Sequence, residues 1–246
     1  MNNFKIIANW KMNGSKEEVK SWINFFKDNV EHKNHSDCFF CPPACYLNNA
    51  NEIISSNNLK LNLGSQDLDP DSDNPSTGGI NGKMLKDLGC DYVLIGHSER
   101  RSLFSEDEEV LLKKLTSAVK HELKVIYCVG ETKEQKERGL ATEAIKIQLK
   151  ILKGLPVDLI SVAYEPVWSI GQGITPSLDS IHEMHQTIKD ELKSILNTEE
   201  NIAISYGGSV SADNAVSISS LNSVDGLLIG GASLNPESFS KVVNNI

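Results

Sequence analysis

Several apolar runs in this 246-residue chain end in residues that do not belong in a hydrophobic core. The run at 4–9 closes on Asn9-Trp10-Lys11, that at 92–96 on His97-Ser98-Glu99-Arg100-Arg101, and that at 159–164 on Glu165. Two others finish in glycine pairs, Gly207-Gly208-Ser209 and Gly230-Gly231. Backbone N–H groups unshielded by a Cβ can hold a phosphate at a helix start, so both pairs are candidate anion loops. Each feature alone has a plainer reading. A glycine pair can be a tight turn, a histidine after a strand a structural hydrogen bonder, and a terminal Lys or Glu a solvated group. Together, a cation, an imidazole and a carboxylate beside an anion site make a candidate active centre.

These residues converge only if the runs that carry them are parallel. Eight runs are candidate strands: 4–9, 38–41, 60–65, 92–96, 124–129, 159–164, 202–206 and 224–229. Most are continuously apolar (KIIA, YVLI, VIYCV, ISVAY, GLLIG) rather than alternating, as expected of strands covered on both faces. Between them lie segments of helical period. Ser15-Lys-Glu-Glu18 reads as a capping box before the stripe Val19, Trp22, Ile23, Phe26, Val30. Ser105-Glu-Asp-Glu108 repeats that signal before Leu111, Leu112, Leu115 and Val119. After Pro176, residues Ile181, Met184, Ile188, Leu192 and Ile195 share one face, and the last run leads into a helix at 235–245. Strand and helix thus alternate to the end. Parallel strands need right-handed crossovers, and eight such units in about 250 residues close into a (β/α)8 barrel, whose chemistry sits at the carboxyl ends of its strands. With no linker or shift of composition, 1–246 reads as one domain, and strand spacing is too irregular for a solenoid.

Composition narrows the partners. With 33 acidic against 24 basic residues the formal charge is -9, and Lys and Arg form no cluster suited to a nucleic acid. No stretch approaches the ~18 apolar residues of a membrane span, and no secretory signal opens the chain. Five scattered cysteines then suggest reduced thiols in the cytoplasm. A core of this size needs neither disulfides nor a structural metal.

The residues singled out above lie in seven ordered segments that resemble the triosephosphate isomerase family from end to end. They are Ala8-Asn-Trp-Lys-Met-Asn-Gly14, Ile95-Gly-His-Ser-Glu-Arg-Arg101, Cys128-Val-Gly-Glu-Thr132, Ala163-Tyr-Glu-Pro-Val-Trp168, Ile170-Gly-Gln-Gly173, Tyr206-Gly-Gly-Ser-Val210 and Gly230-Gly-Ala-Ser-Leu234. The resemblance implies a TIM barrel that interconverts dihydroxyacetone phosphate and D-glyceraldehyde 3-phosphate through an enediolate, without metal or organic cofactor. It places such a chain in glycolysis, gluconeogenesis and the pentose shunt. It assigns Glu165 as the base and His97 as a neutral electrophile, for which this family is a general precedent. Lys11 and Asn9 stabilise the enediolate oxygen. Glu99 is either an ion-pair partner of Arg100, Arg101 or Lys11, or a carboxylate assisting proton transfer. The segment Pro166-Val167-Trp168-Ser169-Ile170-Gly171-Gln172-Gly173 resembles the family's lid, again a known example of closure. Gly171, Ser209, Gly230 and Gly231 are implied to hold the phosphate.

The resemblance also implies a homodimer, with Thr77 near the partner's site. In residues 69–79, however, Gly79 stands where an acidic residue is usual, so an intersubunit ion pair there cannot form. Pro75-Ser76 are unusual too, and Ser169 replaces a common alanine, a tolerable change. Three metal-like spacings carry less. His32, His35, Cys38 and Cys41 suggest zinc, but residues three apart on a strand face opposite sides. Asp67, Asp69, Asp71 and Asp73 lack the glycine and glutamate of a calcium loop, and His182 and His185 read as one helical edge. A pentulose-phosphate epimerase would share the anion site without needing the lid. A barrel that binds sugar phosphate without turnover, or a scaffold, would be natural only had Glu165 or His97 been replaced.

Overall fold

All eight apolar runs form strands in a computed structural model, which describes residues 4–71 and 75–246. They are β1 (Lys5–Asn9), β2 (Cys38–Cys41), β3 (Asn62–Ser65), β4 (Tyr92–Ile95), β5 (Lys124–Val129), β6 (Ile160–Tyr164), β7 (Ile204–Tyr206) and β8 (Gly226–Ile229). The helices among the described residues are α1 (Lys16–Asn29), α2 (Leu47–Ser56), α3 (Gly82–Asp87), α4 (Ser98–Leu103), α5 (Glu108–Lys120), α6 (Lys133–Glu137), α7 (Ala141–Leu149), α8 (Leu178–Leu196), α9 (Ala215–Ser219) and α10 (Pro236–Asn245). Each strand pairs in parallel with the next, and β8 returns to β1 to close the (β/α)8 barrel. Ala8 is the hinge of that closure, opposite Phe40 on one side and Ile229 on the other.

The period of two along each strand sorts the core. Ile7, Phe39, Cys41, Tyr92, Leu94, Ile126, Cys128, Ala163 and Leu228 fill the barrel interior. Their neighbours, among them Ile6, Ala8, Phe40, Val93, Val125, Val162 and Leu227, pack outward against the helices. The same parity carries inward to the mouth: Asn9 follows Ile7 by two and Glu165 follows Ala163 by two. Cys38 and Cys41 accordingly belong to different layers, outside and inside the barrel.

Outside, Trp22 on α1 stacks on Phe40 at 4.6 Å and donates its indole N–H to Ser233 O at 2.8 Å. This bond ties the first helix to the turn that follows β8. Helix α1 starts at the expected N-cap, the Ser15 side chain accepting from Glu18 N–H, which is one of the two bonds of a capping box. Helix α5 does not. Its N-cap is Asp107, which accepts from Val110 N–H, while Ser105 sits at φ +54 in the turn after α4. Glu106 is thereby pulled inward to meet Arg100 and Lys114 at 2.6 Å each, a buried attraction stronger than the expected cap. The loop after β3 is closed at its neck by Asp69, whose N–H donates to Ile80 O and whose carboxylate accepts from Ile80 N–H, both at 2.8 Å.

Candidate functional site

Six strand ends supply the site: those of β1, β3, β4, β6, β7 and β8. On β1, the residue after Asn9 and Trp10 adopts a left-handed backbone: Lys11 has φ +53, unfavourable for a side chain of this kind. Two amides hold it there. Asn9 Oδ1 accepts from Lys11 N–H at 3.0 Å, and Gln66 at the end of β3 donates to Lys11 O at 2.9 Å. The ammonium is thus turned toward Glu99, with Nζ 2.7 Å from Oε1. Of the partners open to Glu99, Lys11 is the one engaged. Arg100 pairs with Asp67 and Glu106, and Arg101 with Glu108.

After β4, His97 is the N-cap of α4, and its Nδ1 receives Glu99 N–H at 3.2 Å. An amide N–H can only donate, so Nδ1 carries a lone pair and the ring proton sits on Nε2. That nitrogen lies 3.0 Å from Glu165 Oε1, and Ser98 N–H, also in the first turn of α4, donates to Oε2 at 3.1 Å. Both side chains are buried, His97 at 6% exposure and Glu165 at 2%. Burial works against a charged imidazole, but the charge and hydrogen bond of Glu165 outweigh it and raise the His97 pKa. Burial likewise opposes ionised Glu165, yet His97 and the Ser98 N–H hold it below the usual carboxylate range. The approach is tight. A Cβ at Gly130 would overlap the Glu165 carbonyl, so that position requires glycine, and one at Gly207 would press on Glu165 Cγ at 3.0 Å.

The glycine pairs open onto the same space. A cavity of about 350 Å3 is lined by Asn9, Lys11, His97, Glu165, Gly171, Ser209, Gly230 and Gly231, among others. Gly230 lies beside the cation, since a Cβ on it would be 3.4 Å from Lys11 Cε. Gly230-Gly231 leads into a single 3-10 turn, Gly231–Ser233. Gly207-Gly208 leads into a loop instead of a helix, because Asn214 folds back to accept Ser211 N–H and donate to Ser209 O before α9 begins. Around this cavity the segment 166–173 starts with a 3-10 turn, Val167–Ser169, and continues through Gly171 and Gly173 at φ +68 and +66.

Comparison with known proteins agrees with this geometry. A sequence model of the family described as triosephosphate isomerase matches residues 4–246. The chain belongs to the triosephosphate isomerase family. It is 41% identical to the triosephosphate isomerase of Finegoldia magna, with 97% of each chain covered. The corresponding protein of Aquifex aeolicus is 38% identical, again over 97% of both chains. That of Francisella tularensis subsp. novicida is 39% identical over 97% of this chain and 95% of its own. The triosephosphate isomerase fold accounts for the convergence of Lys11, His97, Glu165 and the glycine loops, and membership makes the chain an isomerase.

Residues outside the original set also shape the site. Ser98 contributes only its N–H, which no side-chain pattern reveals. Gln66 stands at the end of β3, and its hydrogen bonds to Lys11 O and Cys41 O come from strands brought side by side. The metal-like spacings are otherwise engaged. Asp67 pairs with Lys114 and Arg100, Asp71 with Lys120 and His121, and His182 and His185 both reach Ser223. Asp73 lies outside the described residues. No group of three or more His, Cys, Asp and Glu among the described residues could hold a metal ion. No described helix is long and apolar enough to cross a membrane.

Proposed function

We propose that this isomerase interconverts dihydroxyacetone phosphate and D-glyceraldehyde 3-phosphate, with Glu165 as the base and His97 as the electrophile. The observation that carries the assignment is the 3.0 Å contact between His97 Nε2 and Glu165 Oε1 inside the cavity that also holds Lys11 and the glycine loops. At rest both carboxylate oxygens of Glu165 are engaged, by His97 and by Ser98 N–H. Substrate entry therefore has to draw the carboxylate away. Glu165 then takes a proton from the carbon beside the carbonyl and returns it to the neighbouring carbon. The Nε2–H that it releases is free to donate to the substrate's carbonyl oxygen and to pass protons between the two oxygens. A neutral imidazole suits this task because its proton faces the site while Nδ1 stays bonded to Glu99 N–H.

The negative charge of the enediolate develops on oxygen, where the Lys11 ammonium and the Asn9 amide stabilise it. Glu99 holds Lys11 in place through its 2.7 Å ion pair. Its Oε2 is 3.7 Å from His97 Nδ1. N–H groups of Gly171, Ser209, Gly230 and Gly231 take the phosphate. An enediolate phosphate open to water would lose phosphate by elimination, so the segment 166–173 closes as a lid over it.

The same reading gives a homodimer. Met12 is 95% exposed beside the strained Lys11, and Leu103 and Phe104 are 75% and 63% exposed at the end of α4. A second copy covering them, with Thr77 approaching the neighbouring site, would bury apolar area that a monomer leaves wet. The five cysteines are free thiols, which accords with a cytoplasmic location and a place in glycolysis. The deciding experiment is a coupled assay of glyceraldehyde 3-phosphate isomerisation with a chelator present. Turnover that survives the chelator supports the metal-free reading. Loss of turnover to the chelator, or epimerisation of a pentulose phosphate instead, would sink it.

A further inference from the structure

One cation near the site lies over a ring, with its charge also acting on the Glu131 carboxylate. The capping box of α6, in which Thr132 accepts from Gln135 N–H and Gln135 returns a bond to Thr132 N–H, fixes the first turn of that helix. It sets Lys136 facing back toward the lid, where its ammonium lies over the indole of Trp168, 3.0 Å from the ring centroid. Lys136 has no ion pair within 4.0 Å among the described residues. The other side of the same indole is held too. Trp168 N–H donates to Glu131 Oε1 at 2.6 Å, Tyr164 shares that oxygen at 3.2 Å, and Val167 N–H donates to Glu131 O at 3.1 Å. A carboxylate on the N–H pushes electron density into the ring, and the ring presents its face to the ammonium, so the two contacts reinforce each other.

This grip is on the first turn of the lid, two residues beyond Pro166 and three beyond Glu165. It coexists with Glu165 docked on His97 and Ser98 N–H, the resting arrangement of the base. We propose that Lys136 is a positioning residue that holds Trp168, and through it the lid, in the resting state, so that phosphate binding must overcome the Lys136–Trp168 contact. The inference rests on the reading of 166–173 as a lid that closes on phosphate. Two effects of removing this cation have opposite signs. Loss of a positive charge near the site weakens binding of an anion, whereas loss of a contact peculiar to the resting state strengthens it.

The test compares Lys136→Met, which keeps length without charge, with Lys136→Arg, which keeps the cation over the ring. Inorganic phosphate is the probe, measured as a competitive inhibitor and by its effect on tryptophan emission. An exposed cation–ring contact is worth about a two- to fivefold change in an equilibrium. Lys136→Met is expected to bind phosphate two- to fivefold more tightly, to show phosphate-free emission shifted toward the phosphate-bound spectrum, and to keep its thermal midpoint. Lys136→Arg is expected to match the unmodified chain. Weaker or unchanged phosphate binding in Lys136→Met would overturn the proposal. Isomerase activity of the unmodified chain, measured in parallel, reports separately on the functional reading, because phosphate affinity remains readable even if that activity is absent.

Discussion

His97 Nε2 stands 3.0 Å from Glu165 Oε1, so the proposed electrophile and base satisfy one another before a substrate arrives. Neither partner is left as an unpaired polar group in a site where both are buried. The cost appears on activation, when the pair has to separate.

Shortening the base should expose that dependence. Glu165→Asp withdraws the carboxylate from the reacting carbon while leaving Lys11 and the glycine loops intact, so kcat should fall about 10²-fold or more with little change in KM. A kcat within a factor of about three of the unmodified enzyme would mean that another group is the base.

The pair should also be legible in a titration. Glu165 raises the His97 pKa against the effect of burial. In Glu165→Gln that charge is gone, so His97 should titrate at lower pH than in the unmodified chain, followed by its imidazole proton resonance. The sign is fixed: losing the carboxylate removes a partner of the charged ring, and less proton affinity remains. An unchanged or higher titration point would show that the two residues are not coupled.

A third prediction concerns stability rather than chemistry. Lys114 is 2% exposed and touches both Asp67 oxygens at 2.7 Å and Glu106 at 2.6 Å. Lys114→Met leaves the buried Glu106 and the half-buried Asp67 with only Arg100 between them, at a cost of about 3–5 kcal/mol. For a chain of this size that is roughly 6–20 °C in thermal midpoint. Scanning calorimetry at neutral pH would detect it, and a drop below about 2 °C would show that the cluster relaxes by admitting water.

The proposed dimer can be tested at the exposed Met12. Sedimentation should give a species of twice the 27.1 kDa chain mass at micromolar concentration. Met12→Glu should shift it toward the single chain and reduce activity with it, because Lys11 loses the cover over its strained backbone. A persistent 27.1 kDa species for the unmodified chain would refute the dimer.

What the sequence revealed and what it concealed divide along a physical line. Strand interiors were legible because burial on both faces leaves continuous apolar runs, and the polar residues that end them mark the mouth of the barrel. Glu165, His97 and Lys11 stood out for that reason. The cap of α5 was misread because Ser105 and Asp107 are both good N-caps, and the choice is made by Glu106 reaching across to Arg100 and Lys114. Lys114 itself had a signal: it interrupts the buried stripe of Leu111, Leu115 and Ala118, where a charge needs a partner. The grip of Glu131 and Lys136 on Trp168 joins a strand end, a short helix and the lid, and no local pattern relates the three. Bonds made by the Ser98 N–H leave no trace in residue type at all.

The seam between β1 and β8 has a consequence for how the protein comes into being. Lys11 follows the first strand and Gly230 the last, and they meet because Ala8 pairs with Ile229. A ribosome therefore releases the cation well before the glycine pair that follows β8. A chain that has not yet reached β8 lacks one half of the proposed site. If the proposed site needs enclosure, its reactivity arrives only once β8 has emerged and the ring has shut.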